Sequence, residues 1–164
     1  MVIQITYSVA RQIADHAEAF YPGEVCGLLA GTNNIITKAF PITNISESPQ
    51  THFQMNPDEE IKALKQMDSE ALDWIGVYHS HPKSAPIPSM TDIKNAIDPK
   101  LIQLIVSLEH TKPQLKAWQI HDFDVQPVNL LFDTQQSSDA SHEPLSNSQK
   151  IAIILTSILS VIVM

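Results

Sequence analysis

The segment Tyr78-His79-Ser80-His81-Pro82 constrains this chain more than any other, because two imidazoles one residue apart meet at a common point when the backbone between them is extended. Side chains alternate along a strand, so His79 and His81 share one side of it. A proline-rich loop follows, with Pro82, Pro86 and Pro88, and then a helix start that carries Asp92. Two imidazoles and one carboxylate suit a tetrahedral zinc ion whose fourth position stays open for water, the arrangement of a catalytic site. Each piece also has a plain reading. His-Ser-His-Pro can be a polar strand end, and Ser89-Met90-Thr91-Asp92 has the spacing of a capping box at any helix start. The two readings are compatible, since a capping geometry fixes Ser89 and Asp92 beside the same helix start. A short loop that ties both histidines to one carboxylate favours metal.

The rest of the chain supplies strands and helices in an order that fits an α+β domain. Val2 to Thr6 reads as a strand, and Ser8 offers a cap for a helix carrying Val9, Ile13, Ala17 and Phe20 inward as far as Pro22-Gly23. Glu24 to Ala30 and Ile35 to Phe40 read as a hairpin about the turn residues Gly31-Thr32-Asn33-Asn34. Asn56 caps a second helix with Pro57 at its first position, acidic residues in its first turn, and Ile61, Leu64 and Leu72 directed inward. Trp74 to His79 forms the next strand, and a short helix from about Thr91 to Ile97 is closed by Asp98-Pro99. Three strands follow as a meander: Leu101 to Leu108, Gln114 to Ile120 and Val125 to Phe132.

At 164 residues and 43% hydrophobic content the chain has material for one domain, read as residues 1–132. Residues 133–149 are rich in Ser, Gln, Asp and Asn and read as a flexible linker. Residues 150–164 form a hydrophobic tail in which Ile151 to Met164 carry no charge. As a helix those 14 residues would extend about 21 Å, short of the roughly 30 Å hydrocarbon core. The readings for the tail are a short membrane anchor, a helix docking on the domain or a partner, and a segment foreign to the native protein. A net charge of −8 with no basic cluster argues against nucleic acid. The single cysteine, Cys26, excludes an internal disulfide and a zinc site built on Cys pairs, and suits a reducing compartment. Met1 to Thr6 lacks the charged-then-apolar pattern of a secretion signal, so the expected location is the cytoplasm.

Hydrolysis at such a metal also needs a proton carrier and an oxyanion donor. Glu24 and Ser89 are the candidates. Glu24 opens an apolar strand, where a carboxylate is costly without a partner, although a solvated strand end after Pro22-Gly23 accounts for it from local sequence. Cys26 shares its face and is read as a buried small hydrophobe rather than a nucleophile. His16, His52, His110, His121 and His142 lack ligand spacing and are placed outside the site.

Glu24 in Glu-Val-Cys-Gly-Leu-Leu, then His79-Ser80-His81-Pro82, then Ser89-Met90-Thr91-Asp92 together resemble the JAMM or MPN-plus metallopeptidases of the JAB domain, in their prokaryotic branch. The similarity covers about residues 1 to 132. The resemblance implies a cytidine-deaminase-like α/β/α sandwich with a mixed, largely antiparallel sheet. It implies zinc held by His79, His81 and Asp92, Glu24 as acid and base, and Ser89 assisting the tetrahedral intermediate. It also implies, as substrate, a ubiquitin-like sulfur-carrier protein cleaved at a peptide or isopeptide bond at its C-terminus. Alternatives are a non-catalytic MPN scaffold, which typically has lost the ligands kept here, and a RadC-like protein, whose motif continues His-Pro-Ser-Gly where this chain has Lys83-Ser84. A zinc nucleoside deaminase would need His-x-Glu and Pro-Cys-x-x-Cys, which are absent.

Overall fold

The computed structural model describes residues 1–133 apart from Ile97, so the hydrophobic tail and all of the expected linker except Asp133, which ends the last strand, lie outside the described residues. Chain order is β1 (Val2–Thr6), α1 (Tyr7–Ala19), β2 (Cys26–Thr32), β3 (Ile35–Ile42), α2 (Pro57–Ser69), β4 (Asp73–His81), α3 (Met90–Asn95), β5 (Ile102–Ser107), β6 (Gln114–His121) and β7 (Asp124–Asp133). The expected mixed α+β architecture is present. Antiparallel ladders join β3 to β2, β2 to β4, β5 to β6 and β6 to β7, while β4–β5 and the two pairings of β1 are parallel. Since β1 pairs with both β3 and β7, the sheet closes on itself.

The two long helices cover different faces. Along β2, Leu29 packs with the α1 residues Val9, Ala10, Ile13 and Ala17, whereas Leu28 and Ala30 pack with Ala63 and Met67 of α2. Strand alternation divides one apolar run between two cores, so β2 reads as continuously hydrophobic because both its faces are covered.

Several boundaries differ from the sequence expectation for identifiable reasons. Thr6, not Ser8, caps α1, accepting from the Val9 amide at 3.4 Å, because β1 stays paired with β7 as far as Thr6 and the helix must start at once. α1 stops at Ala19 and Phe20 turns outward, 63% exposed. Tyr21 precedes Pro22, and a residue before proline is disfavoured in the helical region. Ile61 is exposed as well: Ala63, Leu64 and Met67 face the sheet, and Ile61 lies round the far side at 100° per residue. β2 runs on to Thr32, and the turn proper is Asn33-Asn34, both with positive φ as two-residue hairpins require. α3 ends at Asn95 rather than Ile97. As expected, Asn56 caps α2, its Oδ1 accepting from the Asp58 and Glu59 amides.

The end of α2 identifies a correctable local strain. The Leu72 amide donates to Met67 O at 2.9 Å and the Ala71 amide to Asp68 O at 3.1 Å, with Ala71 at φ 53°, the geometry of a left-handed helix cap that favours glycine. An alanine there costs about 1–2 kcal/mol, partly offset by the greater freedom glycine has in the unfolded chain. Ala71→Gly should raise stability by about 0.5–1 kcal/mol in urea or thermal unfolding. A lowered midpoint would contradict this reading of the cap.

Candidate active site

Strand β4 delivers the two histidines as its period predicts. His79 is fully buried and His81 is 6% exposed, while Ser80 points to the opposite side. The Ser80 hydroxyl accepts from the Val25 amide at 2.8 Å, and the Ser80 amide donates to Val25 O at 2.9 Å. This double bond pair ties the residue after Glu24 to the residue between the histidines. Glu24 itself lies two residues before β2 rather than inside it. Its backbone is fixed instead by the loop after β3, since its amide donates to Pro49 O at 2.6 Å and its carbonyl accepts from Asn44 Nδ2 at 2.9 Å. Asn44 also donates to His52 O and accepts from the Ser46 and Gln54 amides, so one side chain organises the loop behind the carboxylate.

Asp92 comes from the first turn of α3. The Ser89 amide donates to Asp92 Oδ2 at 2.6 Å and the Asp92 amide donates to Ser89 Oγ at 3.2 Å, so the expected capping box is formed. The box aims the Asp92 carboxylate at the histidines. Oδ1 lies 3.4 Å from His79 Nε2, Oδ2 lies 3.5 Å from His81 Nε2, and the two Nε2 atoms are 3.1 Å apart. A tetrahedral ion with ligand distances of about 2.0–2.1 Å separates its ligand atoms by about 3.3 Å. The three groups therefore already stand at ligand spacing. His81 Nδ1 is 2.8 Å from Ala85 O, which assigns that nitrogen the hydrogen and leaves Nε2 as a lone-pair donor toward Asp92 and His79. His79 is oriented differently, by Phe53 stacked on its ring at 4.6 Å, and its buried Nδ1 has no partner among the described residues.

The electrostatics follow from burial. Burial acts to raise the Asp92 carboxyl, but hydrogen bonding to His79 and His81 and to the Ser89 amide outweighs it and holds Asp92 well below the usual carboxylate range. Burial drives His79 down toward its neutral form despite Asp92. For His81 the pull of burial is exceeded by Asp92, the Ala85 carbonyl and Glu24, and its basicity rises. Burial, with a further push from Asp92 and against the pull of His81, raises Glu24 to about 7. Near neutral pH such a carboxyl can both take and return a proton.

Glu24, His81, Ser89 and Asp92 line one cavity of about 340 Å³. Among the described residues Ser89 Oγ accepts only the capping bond, so its own O–H remains able to donate into that space. Three wall residues were not legible in sequence. Phe53 and His52 arrive on the Asn44-organised loop, and Lys83 follows the histidine motif. His52 was expected outside the site but lines the cavity, because the loop that Asn44 anchors through the His52 carbonyl folds back beside Glu24, a contact that no local spacing signals. His16 lies on α1 within 2.9 Å of the Tyr78 hydroxyl, away from the ligands, and His110 and His121 are at the surface; His142 lies outside the described residues. Cys26 is buried as expected, its thiol donating to Ile42 O at 3.5 Å.

The sequence model for prokaryotic homologs of the JAB domain matches residues 6–121. The chain belongs to that family. It is 40% identical over 102 residues to the desampylase of Haloferax volcanii, covering 61% of this chain and 73% of that protein. It is 30% identical over 135 residues to the CysO-cysteine peptidase of Mycobacterium tuberculosis, covering 79% of this chain and 92% of that one. A Desulfitobacterium hafniense protein of known solution structure superposes with a TM-score of 0.75 at 31% identity, over 87% of this chain and 100% of that one. Membership of the JAB family makes the chain a hydrolase of the JAMM peptidase type, and the expected JAB/MPN fold is the one observed.

The one thiol gives a check on this site that is independent of metal. Burial, then the carboxylates of Glu24, Glu59 and Glu60, push Cys26 up to about 12. A thiol reagent at pH 8 should therefore leave Cys26 unlabelled in the folded chain and label it fully in denaturant. Rapid labelling of the folded chain would restore the thiol nucleophile as a candidate.

Proposed function

We propose that this chain is a zinc-dependent peptidase that hydrolyses a peptide or isopeptide bond at the C-terminus of a small ubiquitin-like sulfur-carrier protein. The observation that carries the reading is the convergence of His79 Nε2, His81 Nε2 and an Asp92 oxygen within 4.8 Å of one another, with His81 and Asp92 facing the cavity that Glu24 also lines and His79 buried behind them. With their protons removed, these three groups aim lone pairs at one point, an arrangement that a cation stabilises and that two imidazoles and a carboxylate fit to zinc. The relatives named for desampylation and for CysO-cysteine hydrolysis support the substrate class.

His79, His81 and Asp92 would hold the ion. Bound there, zinc would supply Lewis acidity for the scissile carbonyl and for water at neutral pH. Glu24 takes a proton from the attacking water and passes it to the leaving nitrogen as the C–N bond breaks. Ser89 donates its hydroxyl hydrogen to the oxygen of the tetrahedral carbon. Asn44, Pro49 and Ser80 hold the backbone of Glu24 and Val25, so the proton carrier keeps its place through the cycle. The extended tail of a carrier protein suits a cavity open enough for a chain end.

The compact unit Met1–Asp133 supports residues 1–132 as the catalytic domain, and the linker at 133–149 and hydrophobic tail at 150–164 are readings of the sequence. A cytoplasmic setting is supported by a single, buried cysteine. Among the described residues no helix is long and apolar enough to cross a membrane.

Two variants separate metal from proton transfer. Glu24→Gln should retain about one zinc per chain by elemental mass spectrometry and lose at least about 100-fold in kcat on a carrier adduct. Asp92→Ala should lose most of its zinc. Full activity in Glu24→Gln, or equal zinc content in Asp92→Ala, would overturn the respective assignment.

A further inference from the structure

Lys83 is the one lysine or arginine among the residues lining the catalytic cavity. It forms no ion pair among the described residues, although the chain carries a net charge of −8 and both Glu24 and Asp92 line the same space. Its backbone is held on either side. The Leu108 amide donates to His81 O at 3.0 Å, the Ser107 hydroxyl to Ser84 O at 2.6 Å, and His81 Nδ1 to Ala85 O at 2.8 Å. One of these bonds belongs to a metal-site histidine. The position of Lys83 at the cavity wall is therefore fixed by the site itself, and a ligand need order only the side chain.

A cation carried on a fixed backbone beside a hydrolytic site, in a cavity whose other ionisable groups are carboxylates and histidines, selects for negative charge on the bound molecule. The incoming tail contributes its scissile carbonyl, which is neutral. The charge is supplied by the leaving group. An amino acid joined through its α-amine carries its own carboxylate two bonds from the breaking C–N bond, whereas the side-chain amine of a protein lysine carries none nearby. A cavity of about 340 Å³ lies at the small end of ligand sites and suits one residue. Thr91 and Asn95, one turn apart on α3, line the same cavity with side chains that make no hydrogen bond among the described residues, and can donate to the same carboxylate.

We infer that Lys83 binds the free α-carboxylate of the leaving group, so that this enzyme releases a single C-terminal amino acid from its carrier in preference to severing an isopeptide-linked protein. The inference rests on the hydrolase reading above. Water adds to the scissile carbonyl carbon, the C–N bond breaks, the carrier keeps the new carboxylate, and the amine leaves with the proton held by Glu24. Lys83 exchanges no proton in this sequence.

The test uses the full zinc-loaded chain and three forms of one sulfur-carrier protein: extended by a C-terminal cysteine as free acid, extended by cysteinamide, and joined to the side chain of a lysine in a second protein. Because Lys83 is exposed, its selectivity is screened, and kcat/KM for the acid should exceed that for the amide by about fivefold, chiefly through KM. In Lys83→Ala the acid-to-amide ratio should fall to near one, and Lys83→Arg should restore it. An unchanged ratio in Lys83→Ala, or a preference of the parent for the isopeptide conjugate, overturns the inference while leaving the hydrolase reading intact. Failure of the zinc-loaded parent to cleave any of the three overturns both.

Discussion

The antiparallel ladder between β2 and β4 places Cys26 opposite His79 and Gly27 opposite Tyr78, and this register decides where each reacting group can stand. Beyond its end the Ser80 and Val25 backbones remain joined, so the chain leaving β2 toward Glu24 cannot diverge from the histidines. A Cβ on Gly27 would strike the Phe40 carbonyl oxygen and the Tyr78 ring, which is why the strands approach this closely only with glycine there. A slip of one residue would turn His79 and His81 away and direct Ser80 into the cavity. The hydrophobic content of both strands opposes that slip, because each face of β2 is committed to a different core.

What the sequence disclosed and what it concealed divide along the range of the interaction. The histidine pair and the capping box of α3 depend on neighbours within a few residues, and both were readable from alternation and from Ser-x-x-Asp spacing. The cap of α2 and the β5 to β7 meander were local in the same sense. The closure of the sheet was not, because β1 is five residues long and pairs with β7 across nearly the whole domain. Nor was the support of Glu24, whose partners Asn44 and Pro49 lie 20 and more positions along the chain. Thr6 displaced Ser8 as a cap for a related reason: serine is the better local cap, and the β1–β7 pairing overrode that preference.

Family membership and geometry contribute different parts of the functional reading. The comparisons establish the hydrolase class and the fold, and say nothing of how individual atoms stand. The ligand spacing does, since 3.1, 3.4 and 3.5 Å between three donor pairs is a property of this chain's own backbone register and of one capping box. The two capping bonds orient the Asp92 carboxylate as well as starting a helix, so the element most easily dismissed as routine helix chemistry completes the candidate metal site.

That double use has an energetic consequence. Two buried imidazoles and a carboxylate are unfavourable neighbours in a protein interior unless something positive compensates them. A proton shared among them is one compensation, and a divalent cation is a stronger one. The first leaves His81 more basic than usual and Asp92 held as the anion; the second displaces that proton and uses the same lone pairs. Glu24 lies one step outside this set, with its basicity raised by burial and by Asp92, so a cation at the ligands would draw it back toward the ionised form. Loading the site would therefore both stabilise the domain and favour the ionised form of Glu24.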